Sequence, residues 1–173
     1  NRRKKTNNEW FEIQDQTDCY KKFNEPKIVF TKASKVQSFH LDKKNYYTLN
    51  TTYILTGENL EFLLGLLNSK MAEFMFLNFY QGGGVEGEIT QFAIENLPIP
   101  IISKDNLTIV NSIETNVEDI LTKKETNPEA DTTALEKQID LLVYKLYNLT
   151  WEEVQVVDPE FEMSEEEYDN FTI

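Results

Sequence analysis

Cysteine and histidine are nearly absent from this sequence. Its 173 residues include one cysteine, Cys19, and one histidine, His40. A single cysteine excludes an internal disulfide, and one cysteine with one histidine cannot build a zinc site of the usual kinds. We therefore expect Cys19 to be a small buried residue and His40 to be structural or solvent-facing.

Motifs of catalysis and nucleotide binding are also missing. The sequence has no Gly-Lys-Ser/Thr phosphate loop and no His-Glu-x-x-His pair. It also lacks the glycine-rich turn between a strand and a helix that S-adenosylmethionine or dinucleotide binding needs. Glu86 and Glu88 lie in a glycine loop without further ligands, which is typical of a solvated pair. We expect no catalytic residue, cofactor or metal in this chain.

Basic residues are in the minority, with 17 Lys and Arg against 30 Asp and Glu. The net charge of −13 argues, as a whole, against a nucleic-acid partner. By position, however, residues 1–100 are neutral, residues 101–173 carry the entire excess, and residues 21–44 carry a net +5. Because salt screens exposed charges beyond about 8–10 Å, we expect a partner that docks near residues 21–44 not to be affected by a distant acidic tail.

Strand patterns dominate the first part of the chain. Four segments are β-branched, aromatic or alternating in polarity, namely residues 9–14, 26–30, 36–41 and 51–56. The turn-like residues 42–45 predict that the last two strands pair as a hairpin. The pattern indicates an α+β fold, a small mixed sheet packed with helices, over residues 1–103.

Helical periodicity follows the strands. Residues 59–80 predict a helix pair or kinked helix, broken at Asn68-Ser69, and their charged residues argue against a membrane span. After Pro98-Ile99-Pro100, two amphipathic stretches predict an antiparallel helical hairpin. Thr150-Trp151-Glu152-Glu153 has capping-box form, so a short helix completes residues 104–157. We expect residues 158–173 to form a loosely held acidic tail.

Two segments have both a structural and a functional interpretation. The run Gly82-Gly83-Gly84 is either a flexible connector or a loop whose backbone approaches a ligand closely. The lysines of residues 21–44 are either a solvated face or, interleaved with aromatic residues, a surface for phosphate groups. The residue types alone do not separate these alternatives.

The order of the segments resembles the TaqI-like C-terminal specificity domain, the target recognition domain of N6-adenine DNA methyltransferases and fused restriction-modification enzymes. The resemblance covers residues 9–157 and rests on six stretches in the family's order: Trp10-Phe11-Glu12-Ile13-Gln14, Pro26-Lys27-Ile28-Val29-Phe30, Tyr53-Ile54-Leu55-Thr56-Gly57, Leu63-Leu64-Gly65-Leu66-Leu67-Asn68-Ser69-Lys70, Ile94-Glu95-Asn96-Leu97-Pro98-Ile99-Pro100, and the hairpin with Val143-Tyr144-Lys145-Leu146-Tyr147. One departure is Val85-Glu86-Gly87-Glu88, where the family often has Arg or Lys after its glycines.

The resemblance implies a non-catalytic domain that reads double-stranded DNA at one end of a longer, cytoplasmic bacterial protein. The parent would be a restriction-modification N6-adenine methyltransferase, in some cases fused to an endonuclease, that flips its target adenine out of the duplex. S-adenosylmethionine would bind its catalytic domain, not this chain. The helical hairpin would brace the recognition domain against that catalytic domain or against a second copy.

The predicted DNA contacts follow from this reading. Lysine side chains would position phosphates, and amide or phenol groups would reach the grooves. The predicted residues are Lys32, Lys35, Lys43 and Lys44 for phosphates, Gln37, Tyr46, Tyr47 and Gln81 for the grooves, and Gly82, Gly83 and Gly84 for close backbone approach.

Two other functions stay open at this point. The chain is alternatively a helical protein–protein assembly module without DNA contact, which predicts a stable oligomer. As an acidic DNA mimic it would need acids spread over one face, whereas nine of them follow Leu146 at the chain's end.

Overall fold

The computed structural model describes residues 18–31, 37–49, 51–79 and 89–172. A 3₁₀ helix, Asp18–Asn24, precedes three strands: β1 (Lys27–Thr31), β2 (His40–Asp42) and β3 (Thr52–Leu55). Seven α-helices follow within these described ranges: α1 (Leu60–Leu67), α2 (Lys70–Asn78), α3 (Gln91–Asn96), α4 (Leu107–Thr126), α5 (Thr133–Leu146), α6 (Trp151–Val157) and α7 (Glu165–Asp169). The predicted α+β class is confirmed. The predicted strand at residues 9–14 lies outside the described residues.

The sheet has the order β2-β1-β3, with β1 antiparallel to both neighbours. Ile28 of β1 pairs with Leu41 on one side and with Leu55 on the other. The predicted β2–β3 hairpin is therefore wrong, because β2 and β3 run parallel to each other on opposite edges of β1. A tight turn joins only antiparallel neighbours. The end of β2 lies at the Lys27 end of the sheet, whereas β3 begins at its Thr31 end.

A polar junction separates α1 from α2, which confirms the predicted helix pair. Ser69 caps α2 by accepting a hydrogen bond from the backbone N–H of Ala72. The Asn68 amide donates to the carbonyl of Phe39 (3.1 Å) and accepts from its N–H (3.2 Å), which ties the junction to the segment before β2. No helix among the described residues is long and apolar enough to cross a membrane.

The hairpin of α4 and α5 packs directly on α1. A Cβ atom placed on Gly65 would lie 2.8 Å from Cγ2 of Ile113 and 3.0 Å from Cγ2 of Val117, so only glycine allows this approach. One continuous core cluster includes Ile28 of the sheet, Leu66 of α1, Ile113 of α4 and Val143 of α5. The core thus continues across residues 103 and 104, and the predicted division into domains there stays a prediction.

The C-terminal segment is packed, so the expectation of a loosely held tail is wrong. Tyr168 of α7 is 1% exposed, and its hydroxyl donates to the carbonyl of Leu149 (2.9 Å). The Phe161 ring meets both Tyr168 and Tyr144 edge-on, with centroids 5.8 Å apart in each case. Phe161 and Tyr168, which lie among the acids, bury apolar surface, and a count of charges does not show this. The predicted capping box at Thr150 and Glu153 is confirmed.

The close approach of α1 to α4 at Gly65 is tested by adding one methyl group, in the variant Gly65→Ala. Gly65→Ala should lower the free energy of unfolding by about 1–2 kcal/mol, because overpacking against Ile113 and Val117 outweighs alanine's helix preference of about 1 kcal/mol. Asn111→Ala, at an exposed position of α4, is the control and should be neutral or stabilising. Urea unfolding measures both, and a Gly65→Ala variant as stable as the control would contradict the packing described.

Asp140 of α5 predicts a pH dependence of stability. Burial raises the pKa of Asp140 to about 6, against the opposing effect of the Lys70 N–H, which donates to its Oδ1 at 2.8 Å. Since this pKa lies above the ordinary 3.8, the folded chain favours the protonated form of Asp140. The stability that this form contributes is fully present below about pH 3.8 and is lost as the pH rises through about 6.

We therefore expect Asp140→Asn, which keeps an oxygen for the Lys70 N–H, to be more stable than the parent at pH 7.5. The gain is about 1.4 kcal/mol per unit of pKa shift. At pH 4 the difference should be small. Urea unfolding at both pH values checks this, with exposed Asp119→Asn as control. If the stability difference between Asp140→Asn and the parent is the same at both pH values, the raised pKa of Asp140 is contradicted.

Candidate nucleic-acid interface

A buried ion pair lies at the base of the lysine-rich segment. Lys27, the first residue of β1, faces Asp42, the last residue of β2, in the antiparallel register. The Lys27 side chain is fully buried, and its Nζ lies 2.6 Å from Oδ2 of Asp42. The same Nζ donates to the carbonyl of Phe23 in the 3₁₀ helix (2.9 Å). Lys27 is thus a structural cation and not a free phosphate ligand.

The Asp42 carboxylate also organises the chain that follows it. Its Oδ1 accepts from the N–H of Lys44 (2.7 Å), and its Oδ2 accepts from the N–H of Tyr46 (2.9 Å). Between them Asn45 has φ 61°, the left-handed conformation that asparagine tolerates. Burial by itself would raise the pKa of Asp42, but the Lys27 ion pair and the two N–H groups together lower it. The turn is therefore held around an ionised carboxylate.

This turn presents two cations and two phenols to solvent. Tyr46 is 65% exposed and Tyr47 is 68% exposed, while Lys43 and Lys44 are also exposed. The Tyr47 ring stacks on Phe23 with centroids 5.1 Å apart and an interplanar angle of 24°. Four of the predicted contact residues are therefore brought together on one ordered turn, residues 42–47, which we call the basic turn.

Both lysines of the basic turn have carboxylate partners on helices. Lys43 pairs with Glu61 of α1 at 2.6 Å, and Lys44 pairs with Glu125 of α4 at 3.1 Å. The bond to Lys43 lowers the pKa of Glu61, and the bond to Glu125 raises the pKa of Lys44. Exposed pairs of this kind are weak and are screened by salt, so a phosphate group can compete with them.

Helix α4, which belongs to the acidic residues 101–173, lies next to the basic turn, although the expectation from charge screening concerned only the distant tail. Glu118 and Glu125 of α4 form one wall of an open cleft of about 690 Å³, and His40, Lys43 and Lys44 lie on the opposite wall. The helical hairpin packs across α1, and this places acidic side chains of α4 in contact with the basic turn. They are therefore closer than the distance of about 8–10 Å over which salt screens charge.

Gln37 has a different environment from the basic turn. Its side-chain amide donates to the carbonyl of Leu67 at 2.7 Å and contacts that of Ser69 at 3.4 Å, at the junction of α1 and α2. A DNA contact by this amide stays a prediction, and its Nε2 would have to leave these two carbonyls to make one. The remaining predicted residues lie outside the described residues: Lys32, Lys35, Gln81, Gly82, Gly83 and Gly84.

Sequence reasoning did not single out Lys27 or Asp42. Lys27 was one of seven lysines in residues 21–44, and no local signal distinguishes a buried lysine from an exposed one. The distinguishing feature is its place opposite Asp42, which depends on the strand register. Among the described residues, no group of three or more His, Cys, Asp or Glu side chains is placed to hold a metal ion.

Fold and site together define a class: an α+β domain that presents an ordered turn of lysines and tyrosines. The chain matches the model of the TaqI-like C-terminal specificity domain over residues 1–99, more than half of its length, and it belongs to that family. The resemblance read from the sequence is confirmed for this part, and α4 to α7 follow the matched range. No curated protein and no solved structure matches the chain.

Membership of this family gives the chain a specificity role, that of DNA recognition in restriction-modification enzymes. The partner that follows from this role is DNA. The predicted contact residues Lys43, Lys44, Tyr46 and Tyr47 lie exposed on the basic turn, and a DNA contact by them stays a prediction.

The ionised state of Asp42 gives a prediction at acid pH. Because its pKa is lowered below the ordinary 3.8, its contribution to stability is present above about pH 3.8 and is lost as the pH falls through the folded-state value. The ¹³C shift of the Asp42 carboxyl group, followed by NMR, should therefore show a midpoint below 3.8. The Lys44 and Tyr46 amide signals should move with the same midpoint, and a midpoint at or above 3.8 would contradict the geometry.

Proposed function

We propose that this chain is the sequence-reading, non-catalytic domain of a bacterial restriction-modification N6-adenine DNA methyltransferase. It grips double-stranded DNA through residues 21–47 and the loop 81–88, while the helical hairpin 104–148 braces it against the catalytic domain. The observation that carries the proposal is the basic turn, whose four exposed side chains project from an internally hydrogen-bonded base in a chain of the specificity-domain family.

The arrangement suits DNA in two ways. Lys43 and Lys44 are long, flexible cations that reach phosphates without fixed geometry. Tyr46 and Tyr47 have fewer rotatable bonds, with the Tyr47 ring held on Phe23, and we assign them to groove contacts, which need a fixed geometry. Glu61 and Glu125 hold the lysines until phosphate replaces them.

The alternative, an assembly module without DNA contact, is supported less well. It needs an unpartnered apolar stripe on the helical hairpin. In the described residues the stripes of α4 (Val110, Ile113, Val117) and α5 (Ile139, Leu142, Val143) are buried in the chain's own core. Sedimentation separates the two functions, because the assembly module predicts a stable oligomer and no response to DNA.

The salt dependence of DNA binding tests the proposal. Fluorescence anisotropy with duplex DNA should show an affinity that falls as salt rises. The double variant Lys43→Gln/Lys44→Gln should reduce the slope of log K against log salt by about 2, since each phosphate contact contributes about 0.9. Glu125→Gln, which frees Lys44 from its carboxylate, should bind more tightly than the parent.

The matched control is Lys104→Gln/Lys137→Gln, which removes two charges outside residues 21–47 and 81–88 and should leave the slope nearly unchanged. Binding that is insensitive to salt would overturn the proposal. An equal loss of slope in both double variants would show that the attraction is general and not located at the basic turn.

A further inference from the structure

The structure raises the question of what determines the shape of the basic turn. Its side chains point into solvent, and beyond the turn they contact, within the described residues, Phe23 under Tyr47 and the carboxylates of Glu61 and Glu125. The anchor inside the turn is Asp42, which receives both backbone N–H bonds and the Lys27 ammonium. The shape of the turn therefore depends on a carboxylate that is itself nearly buried.

Lys27 joins this carboxylate to the rest of the fold. Its Nζ bonds to Asp42 at the end of β2 and to the carbonyl of Phe23 in the 3₁₀ helix, and it lies 5.8 Å from the centroid of the Phe23 ring. Phe23 in turn carries the ring of Tyr47. Both ends of the basic turn are thus tied to one buried ammonium group, at Asp42 through the ion pair and at Tyr47 through Phe23.

We propose that Lys27 and Asp42 are positioning residues for DNA sequence discrimination. They hold the basic turn in the one conformation that places its phenols against base edges, although neither side chain touches DNA. This inference rests on the proposed DNA-reading function and adds to it a separation of roles, in which the exposed lysines supply affinity and the buried pair supplies selectivity.

The separation follows from how each contact tolerates movement. A lysine on its flexible stem finds a phosphate even when its backbone shifts, whereas a contact with a base edge is lost when its support moves by about 0.5 Å or more. Loosening the turn should therefore leave the salt dependence of binding unchanged and lower the preference for one sequence over another.

The experiment uses the full chain and a randomised duplex DNA library as the probe. Rounds of selection with the parent protein yield an enriched sequence, and the ratio of Kd values for that sequence and for a shuffled duplex defines the selectivity. Asp42→Asn should lower this ratio by about ten-fold or more, the discrimination carried by one base contact. The slope of log K against log salt should stay the same.

The loss of a charge in Asp42→Asn does not by itself explain a lower selectivity. Asp42→Asn removes a negative charge, which by itself strengthens attraction to DNA. The control Asp119→Asn makes the same change at an exposed site on α4 and should keep the selectivity of the parent. The double variant Lys27→Met/Asp42→Asn leaves the net charge unchanged and removes the buried charge pair as a whole, so it stays measurable if the single variant fails to fold.

A second measurement does not involve DNA. In the free parent protein the amide protons of Lys44 and Tyr46 should exchange slowly with solvent, and in the Asp42→Asn variant at least one of them should exchange faster. If both amides of the parent exchange as fast as an unstructured peptide, the positioning role is overturned.

The outcomes distinguish this inference from the function on which it rests. If the parent enriches no sequence from the library, the DNA-reading function fails and the inference fails with it. If the parent enriches a sequence and the folded variants keep its selectivity, the positioning role alone is overturned. A loss of selectivity with an unchanged salt slope supports both.

Discussion

The buried ion pair between Lys27 and Asp42 is the constraint on which the candidate site depends. It closes β1 against β2, holds the 3₁₀ helix through the carbonyl of Phe23, and turns the chain at residues 42–46. A buried ammonium group needs compensating partners, because its removal from water is otherwise costly. These partners are a carboxylate and a carbonyl, and the carboxylate uses its remaining lone pairs to bind the turn. The need to compensate the buried Lys27 charge therefore also determines the geometry of the exposed basic turn.

Charges that are far apart in the sequence are neighbours in the folded chain. Counted along the sequence, the excess of acids belongs to residues 101–173, and the basic segment belongs to the first part of the chain. In space, Glu125 of α4 contacts Lys44, and Glu61 of α1 contacts Lys43. The acids near the basic turn act as counter-charges to it, whereas the acids of the C-terminal segment surround a small core formed by Tyr144, Phe161 and Tyr168.

Local patterns predicted much of the fold. The helix pair around Asn68-Ser69, the helices α4 and α5, and the cap at Thr150 follow from periodicity and capping residues, which act within a few positions of the chain. The short helices α3 and α7 and the 3₁₀ helix were not predicted, because short elements carry little periodic signal. At the site, Tyr46, Tyr47, Lys43 and Lys44 were predicted and lie together, whereas Lys27 could not be told apart from its neighbours.

The sequence by itself determined the class of fold, the positions of the long helices and the family, since these depend on residue order and spacing. Only the tertiary structure decided that β1 is the central strand, that Gln37 lies at the junction of α1 and α2, and that Lys27 is buried opposite Asp42. The reason is physical. Strand order, register and the burial of a charge depend on contacts between residues distant in the chain, and the free energy of those contacts exists only once the core has assembled.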